Sequence, residues 1–126
     1  MKLRLQGNTL RLRLRRSDVE QLLATGRVEE TVLFPGGALA YSLVLDDAVD
    51  VACADMTGSE IRVRLPRQQG LTWCHGEETS LSSPGVVPTV LVERDFVRTA
   101  VEEPDDHDRF TNPRSGRKPP PFKAPS

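Results

Sequence analysis

Aromatic side chains are scarce in this chain: Phe 4, Tyr 1 and Trp 1 make up 5% of it. A core built from it must therefore be aliphatic, made largely of Leu and Val. Cysteine is nearly absent too. Cys53 and Cys74 are too few for a disulfide framework, which makes a reducing, cytoplasmic setting with free thiols the expectation. No apolar run approaches the length needed to span a bilayer, and the opening Met1-Lys2-Leu3-Arg4 alternates instead of forming a signal-peptide core. No charge sign dominates. A formal net charge of −1 argues against a dedicated nucleic-acid binder, which carries a basic excess.

What is present is 126 residues of ordinary globular composition, the size of one domain. Leu3 and Leu5 alternate with Lys2 and Arg4. Leu10, Leu12 and Leu14 alternate with Arg11, Arg13 and Arg15. Period two means strands with one buried and one wet face, and Gly7-Asn8 between the runs suits a primed hairpin turn. A β-hairpin over 2–6 and 9–15 is predicted. Ser17-Asp18-Val19-Glu20 then matches a capping box, Val19, Leu22 and Leu23 give a helical stripe, and Gly26 supplies a stop. That predicts a helix over 17–25.

Further strand-like runs follow at Val28–Phe34, Ala38–Leu45, Val49–Ala54 and Glu60–Leu65. The short gaps between them favour antiparallel neighbours. Pro66 opens a second predicted helix reaching Cys74, at a cost of about 1 kcal/mol for Gly70 inside it. Val86–Phe96 reads as a more buried strand. No internal repeat is read from the sequence. The fold class read from this pattern is α+β: a mostly antiparallel sheet of six to eight strands, one or two short helices and an extended C-terminal tail. Residues 1–101 would form the domain, 102–113 an acidic segment able to dock on it, and 114–126 a basic, proline-rich tail.

Several segments are similar to a family of small bacterial proteins of unknown function. They are Met1-Lys2-Leu3-Arg4-Leu5-Gln6-Gly7-Asn8-Thr9-Leu10-Arg11-Leu12-Arg13-Leu14, Ser17–Leu22 with Gly26–Thr31, Leu91-Val92-Glu93-Arg94-Asp95-Phe96, and Asp105–Pro113. The chain departs from that pattern near Phe96-Val97-Arg98, where relatives more often carry a Cys and a Leu. The resemblance implies kinship and brings no activity with it.

Candidate chemistry concentrates in the basic residues. Lys2, Arg4, Arg11, Arg13 and Arg15 project from one side of the predicted hairpin, and Arg62 and Arg64 would extend the field if their strand joined the same sheet. Like charges opposed across strands repel, and arginine forks bind carboxylate and phosphate in pairs. Three readings stand: a solvated face, a face covered by the chain's own Asp105, Asp106 and Asp108 with Phe110 as an apolar anchor, or a face for an external anion. No metal site or cofactor is expected, because Cys74-His75, His107 and Asp108 lack ligand spacing. No catalytic residue is assigned: there is no Gly-x-Ser-x-Gly elbow, and Gly36-Gly37 precedes a strand.

The leading function is accordingly a non-enzymatic binding or interaction module. The alternative is an enzyme acting on phosphorylated or polyphosphate small molecules, in which the arginines join Glu60 and Glu93 inside a strand-lined tunnel. An acidic protein or a small anion is the partner type that fits. Nucleic acid and membrane do not, and a homodimer stays open because strand edges need cover.

Overall fold

The computed structural model describes residues 1–76, 80–83 and 85–95. Its elements are β1 (Lys2–Gln6), β2 (Thr9–Leu14), α1 (Arg16–Thr25), β3 (Arg27–Phe34), β4 (Gly37–Asp46), β5 (Cys53–Thr57), β6 (Glu60–Pro66), α2 (Arg67–His75), β7 (Ser80–Ser83) and β8 (Thr89–Arg94). They form two four-stranded sheets, β1-β2-β8-β7 and β3-β4-β6-β5. The α+β class stands. The single sheet does not, and antiparallel pairing holds only in part, because each sheet is two antiparallel hairpins joined at its centre by a parallel pair, β2 with β8 and β4 with β6.

The local reasons are those of the sequence. In the β1–β2 turn Gly7 has φ 56°, and among the described residues no non-glycine has positive φ, so the strain of a primed turn falls on the residue without a Cβ. Helix α1 ends at Gly26, whose φ of 76° lets its N–H bond Leu22 O at 2.8 Å. Its start differs from the expectation. The cap is Arg15, and the reciprocal bond is made by the Asp18 carboxylate, which accepts from the Arg15 N–H at 2.9 Å. Strand β5 begins at Cys53, later than the run Val49–Ala54 suggested, and β7, Ser-Leu-Ser-Ser, had no strand signal of its own.

The pairing exposes an internal repeat. Residues 1–46 are ordered ββαββ and so are residues 52–95, and exchanging the two halves leaves every strand pairing unchanged. Thr9 pairs with Thr89 as Glu60 pairs with Ala40. The Thr89 N–H bonds Asn8 O at 3.0 Å, and the Ala40 N–H bonds Ser59 O at 3.0 Å. Once this alignment is made the sequence shows it: Gly7-Asn8-Thr9-Leu10-Arg11-Leu12-Arg13-Leu14 lies over Gly58-Ser59-Glu60-Ile61-Arg62-Val63-Arg64-Leu65. Gly58 has φ 58°, matching Gly7.

One core serves both halves. Leu10, Leu12, Leu14, Leu43, Leu65, Val63, Val90 and Val92 meet Leu22 of α1 and Trp73 of α2 in a single cluster, nearly all of it aliphatic. Where the first half has Leu22 and Leu45, the second has Trp73 and Arg94 at the equivalent places. The Arg94 guanidinium lies 5.3 Å from the Trp73 ring centre and donates to Trp73 O, Cys74 O and Gly76 O at 2.8, 3.0 and 2.9 Å. It thereby satisfies carbonyls that the end of α2 leaves open.

Gly70 is buried on α2, and a Cβ there would collide with Leu45 Cδ2, the end of a buried side chain that would have to shift, and would sit in ordinary contact with Leu65. The close approach of helix to sheet accounts for a glycine that helix propensity disfavours. Gly70→Ala should therefore lower stability by about 1–3 kcal/mol, although an exposed helical site would gain about 1 kcal/mol from the same change. Urea denaturation of the two proteins measures the sign.

Candidate functional site: a basic sheet face

Strand registry places Lys2 opposite Arg13 and Arg4 opposite Arg11 on β1 and β2. Leu10, Leu12 and Leu14 point the other way and are buried. The four cations therefore share one face, as the alternation predicted. Glu93 of β8 stands beside Arg13 on that face. Its Oε1 lies 2.7 Å from Arg13 Nε and 3.5 Å from Arg11 Nε, so one carboxylate bridges two guanidinium groups. Lys2 Nζ meets Asp95 at 3.3 Å. A shallow hollow of about 270 Å³ opens beside this array, lined by Arg4, Gln6, Thr9 and Arg11.

The other three positions assigned to the field go elsewhere. Arg15 closes the turn into α1, with Nε 3.5 Å from Asp18. Arg62 and Arg64 belong to β6, in the second sheet, where they hold the places of Arg11 and Arg13 in the repeat. There they meet their own carboxylates: Arg62 to Glu60 at 3.0 Å, and Arg64 to Asp55 at 3.3 Å. Arg27 reaches Glu29 at 3.2 Å and Glu60 at 3.6 Å on the same face. The field of seven cations thus divides three ways: four share the β1–β2 face with Glu93 and Asp95, Arg15 stands at the start of α1, and Arg62 and Arg64 meet carboxylates of the second sheet. The reason is topological, because β2 and β6 are equivalent strands of two different sheets. Glu60 and Glu93 are parted in the same way, each set among the arginines of its own sheet, and among the described residues they do not converge. Asp105, Asp106, Asp108 and Phe110 lie outside the described residues.

Two further groups bear on chemistry. Cys74 is buried. Burial pushes its thiol up, and the nearby Arg94 charge only partly counters that, so it stays a thiol at neutral pH and a poor nucleophile. Its neighbour His75 is exposed. Among the described residues no three of His, Cys, Asp and Glu gather as metal ligands would, and no helix is long and apolar enough to cross a membrane.

A charged cluster that sequence reasoning missed sits at the first residue. The Met1 ammonium, shut from solvent, lies 2.8 Å from Asp18 Oδ2 and 3.0 Å from Glu30 Oε1, and Tyr41 Oη donates to Met1 O at 3.2 Å. In the repeat, Met1 corresponds to Ala52, Asp18 to Gln69 and Glu30 to Ser83. The carboxylates appear in the half that has an ammonium to neutralise and are replaced by neutral groups in the half that has a peptide bond there. That comparison was the available signal. Burial would raise the Asp18 carboxyl, but the Met1 ammonium, the Arg15 N–H and the Arg15 charge outweigh it and hold the group below its ordinary value of 3.8.

A depressed folded-state value means that this stabilisation is complete above the unfolded value and is lost as pH falls through the folded one. Stability should thus decline as the solution is acidified below about pH 4. Asp18→Asn should cost about 1–3 kcal/mol at neutral pH and flatten that acid decline. Denaturant titrations at several pH values measure both effects.

No curated protein and no solved structure matches the chain. A family model described as a family of unknown function (DUF7009) matches residues 1–114, which takes the match well past the end of β8 at Arg94. The chain belongs to that family.

Proposed function

We propose that the protein is a non-enzymatic binding module whose basic face, formed by Lys2, Arg4, Arg11 and Arg13, receives a carboxylate-rich or otherwise anionic chain. The observation that carries this is the pair of opposed like charges, Lys2 with Arg13 and Arg4 with Arg11. Such pairs repel across a sheet, and Glu93 and Asp95, which stand among these cations, show that the face accepts carboxylates. The opposed cations become an asset when an anion lies across them, because guanidinium forks bind oxyanions bidentately. Arg11 and Arg13 are held upright by their shared contact with Glu93, which also keeps the face from being uniformly positive.

The chain itself carries a candidate anionic segment, Asp105, Asp106 and Asp108, followed by Phe110. The family match continues through residue 114, past these acids. Exposed ion pairs contribute only about 0–1 kcal/mol each, and the apolar Phe110 supplies the rest of the hold. An external acidic protein or small anion would compete for the same face. The alternative, an enzyme acting on phosphorylated or polyphosphate small molecules, requires arginines and carboxylates converging in a tunnel. The outward basic face and the parted Glu60 and Glu93 give it no support.

Neutralising the acidic stretch by Asp105→Asn, Asp106→Asn and Asp108→Asn tests the reading. The triple variant should melt a few degrees lower than the parent in low salt, since about 1 kcal/mol shifts Tm by roughly 4–8 °C in a domain of this size. The gap should close in high salt, and inorganic polyphosphate should stabilise the variant more than the parent. Equal melting temperatures in low salt would refute the self-contact. A lack of response to polyphosphate in both proteins would refute the anion face.

A further inference from the structure

The two halves differ most in their second hairpins. In the first half, β3 and β4 run on past the last residues that β6 reaches: the parallel ladder starts at Ala40 opposite Glu60, while the hairpin continues to Phe34 opposite Gly37. In the second half the corresponding strands stop early, β7 at Ser83 and β8 at Thr89. Residues 31–39 are therefore an arm added to the repeated frame, and the other half closes its core without one.

The arm has the wrong chemistry for water. From Thr31 to Leu45 the sequence contains no charged residue. Leu33 is 81% exposed, Phe34 57% and Val32 42%, a contiguous apolar tip of the kind that marks an interaction site. Among the described residues it also lies on a free edge, because β3 is the outermost strand of its sheet. Natural edges are guarded by charge or by shortness. Lys2 and Arg4 guard β1, Asp55 guards β5, and β7 is only four residues long. On β3, Arg27, Glu29 and Glu30 guard the first half alone, and Thr31-Val32-Leu33-Phe34 is left open.

We infer that this open edge pairs with the same edge of a second copy of the chain. A two-fold contact requires a self-complementary patch, and the segment provides one. In an antiparallel pairing centred on Leu33, each Leu33 faces its twin on one side of the sheet. Val32 faces Phe34 on the other, an aromatic with a β-branched residue. Thr31 meets Pro35, which has no N–H and ends the ladder. Glu30 falls opposite Gly36, so the acids of the two copies do not face one another. The same acids make the arm a poor fit for an anionic lipid surface. The two four-stranded sheets join into one of eight strands, and the exposed tips cover each other.

Sedimentation of the full chain over a broad concentration range tests this. The parent should sediment as a concentration-dependent dimer. Leu33→Lys places two like charges at the axis and should weaken the dimer tenfold or more, equivalent to about 1.4 kcal/mol. Because Leu33 is exposed, its melting temperature in dilute solution should stay near the parent's, whereas Leu33→Ile should keep the dimer. A parent that remains monomeric at every concentration overturns the inference, whether or not it then floats with anionic vesicles. So does a dimer that survives Leu33→Lys unchanged.

Discussion

The parallel pairs at the centre of each sheet, β2 with β8 and β4 with β6, are the constraint from which the rest follows. Every hairpin here is local and could form early, yet none finds its central neighbour in its own half of the chain. The first half supplies β1 and β2 to one sheet and β3 and β4 to the other, and the second half completes both. Parallel pairing needs a long connection. Here the connections between paired central strands are whole structural elements: β5 between β4 and β6, and both helices, the entire second sheet and β7 between β2 and β8.

That arrangement decides where charge is displayed. The Arg-x-Arg strands β2 and β6 are equivalent, so each sends its leucines and valines into the shared core and its arginines outward. Their neighbours differ. Around Arg62 and Arg64 stand Glu60, Asp55 and Asp46. Around Arg11 and Arg13 stand Glu93 and, across the hairpin, two more cations. In one repeat the arginines meet three carboxylates of their own sheet, and in the other the cations share Glu93 and Asp95. The same divergence separates Asp18 and Glu30, which meet an ammonium, from Gln69 and Ser83, and it separates Leu45 from Arg94.

Much of this was legible from the residues. The β1–β2 hairpin and the Gly26 stop rest on interactions within a few residues, and alternation alone places Lys2, Arg4, Arg11 and Arg13 on one face. The failures share a cause: periodicity says which way a side chain points but not which strand lies beside it. Arg62 and Arg64 alternate as well as Arg11 and Arg13 do, and nothing local tells that they serve another sheet. Ser17 looked like the better cap, but Asp18 is drawn toward Met1 and bonds the Arg15 N–H instead. Strand β7 offers a single buried Leu81, and it is held by pairing with β8, which no short window reveals. Gly70 looked like a defect until the side chain of Leu45 was seen to occupy the space.

If each sheet needs strands from both halves, neither half can bury its core alone. Cutting the chain in the loop between β4 and β5, after Ala48, and recording circular dichroism of the two fragments apart and mixed tests that directly. The repeat architecture predicts little ordered structure in either fragment, and recovery of the intact protein's spectrum with a cooperative melting transition on mixing. A cooperatively folded fragment 1–48 by itself would contradict it.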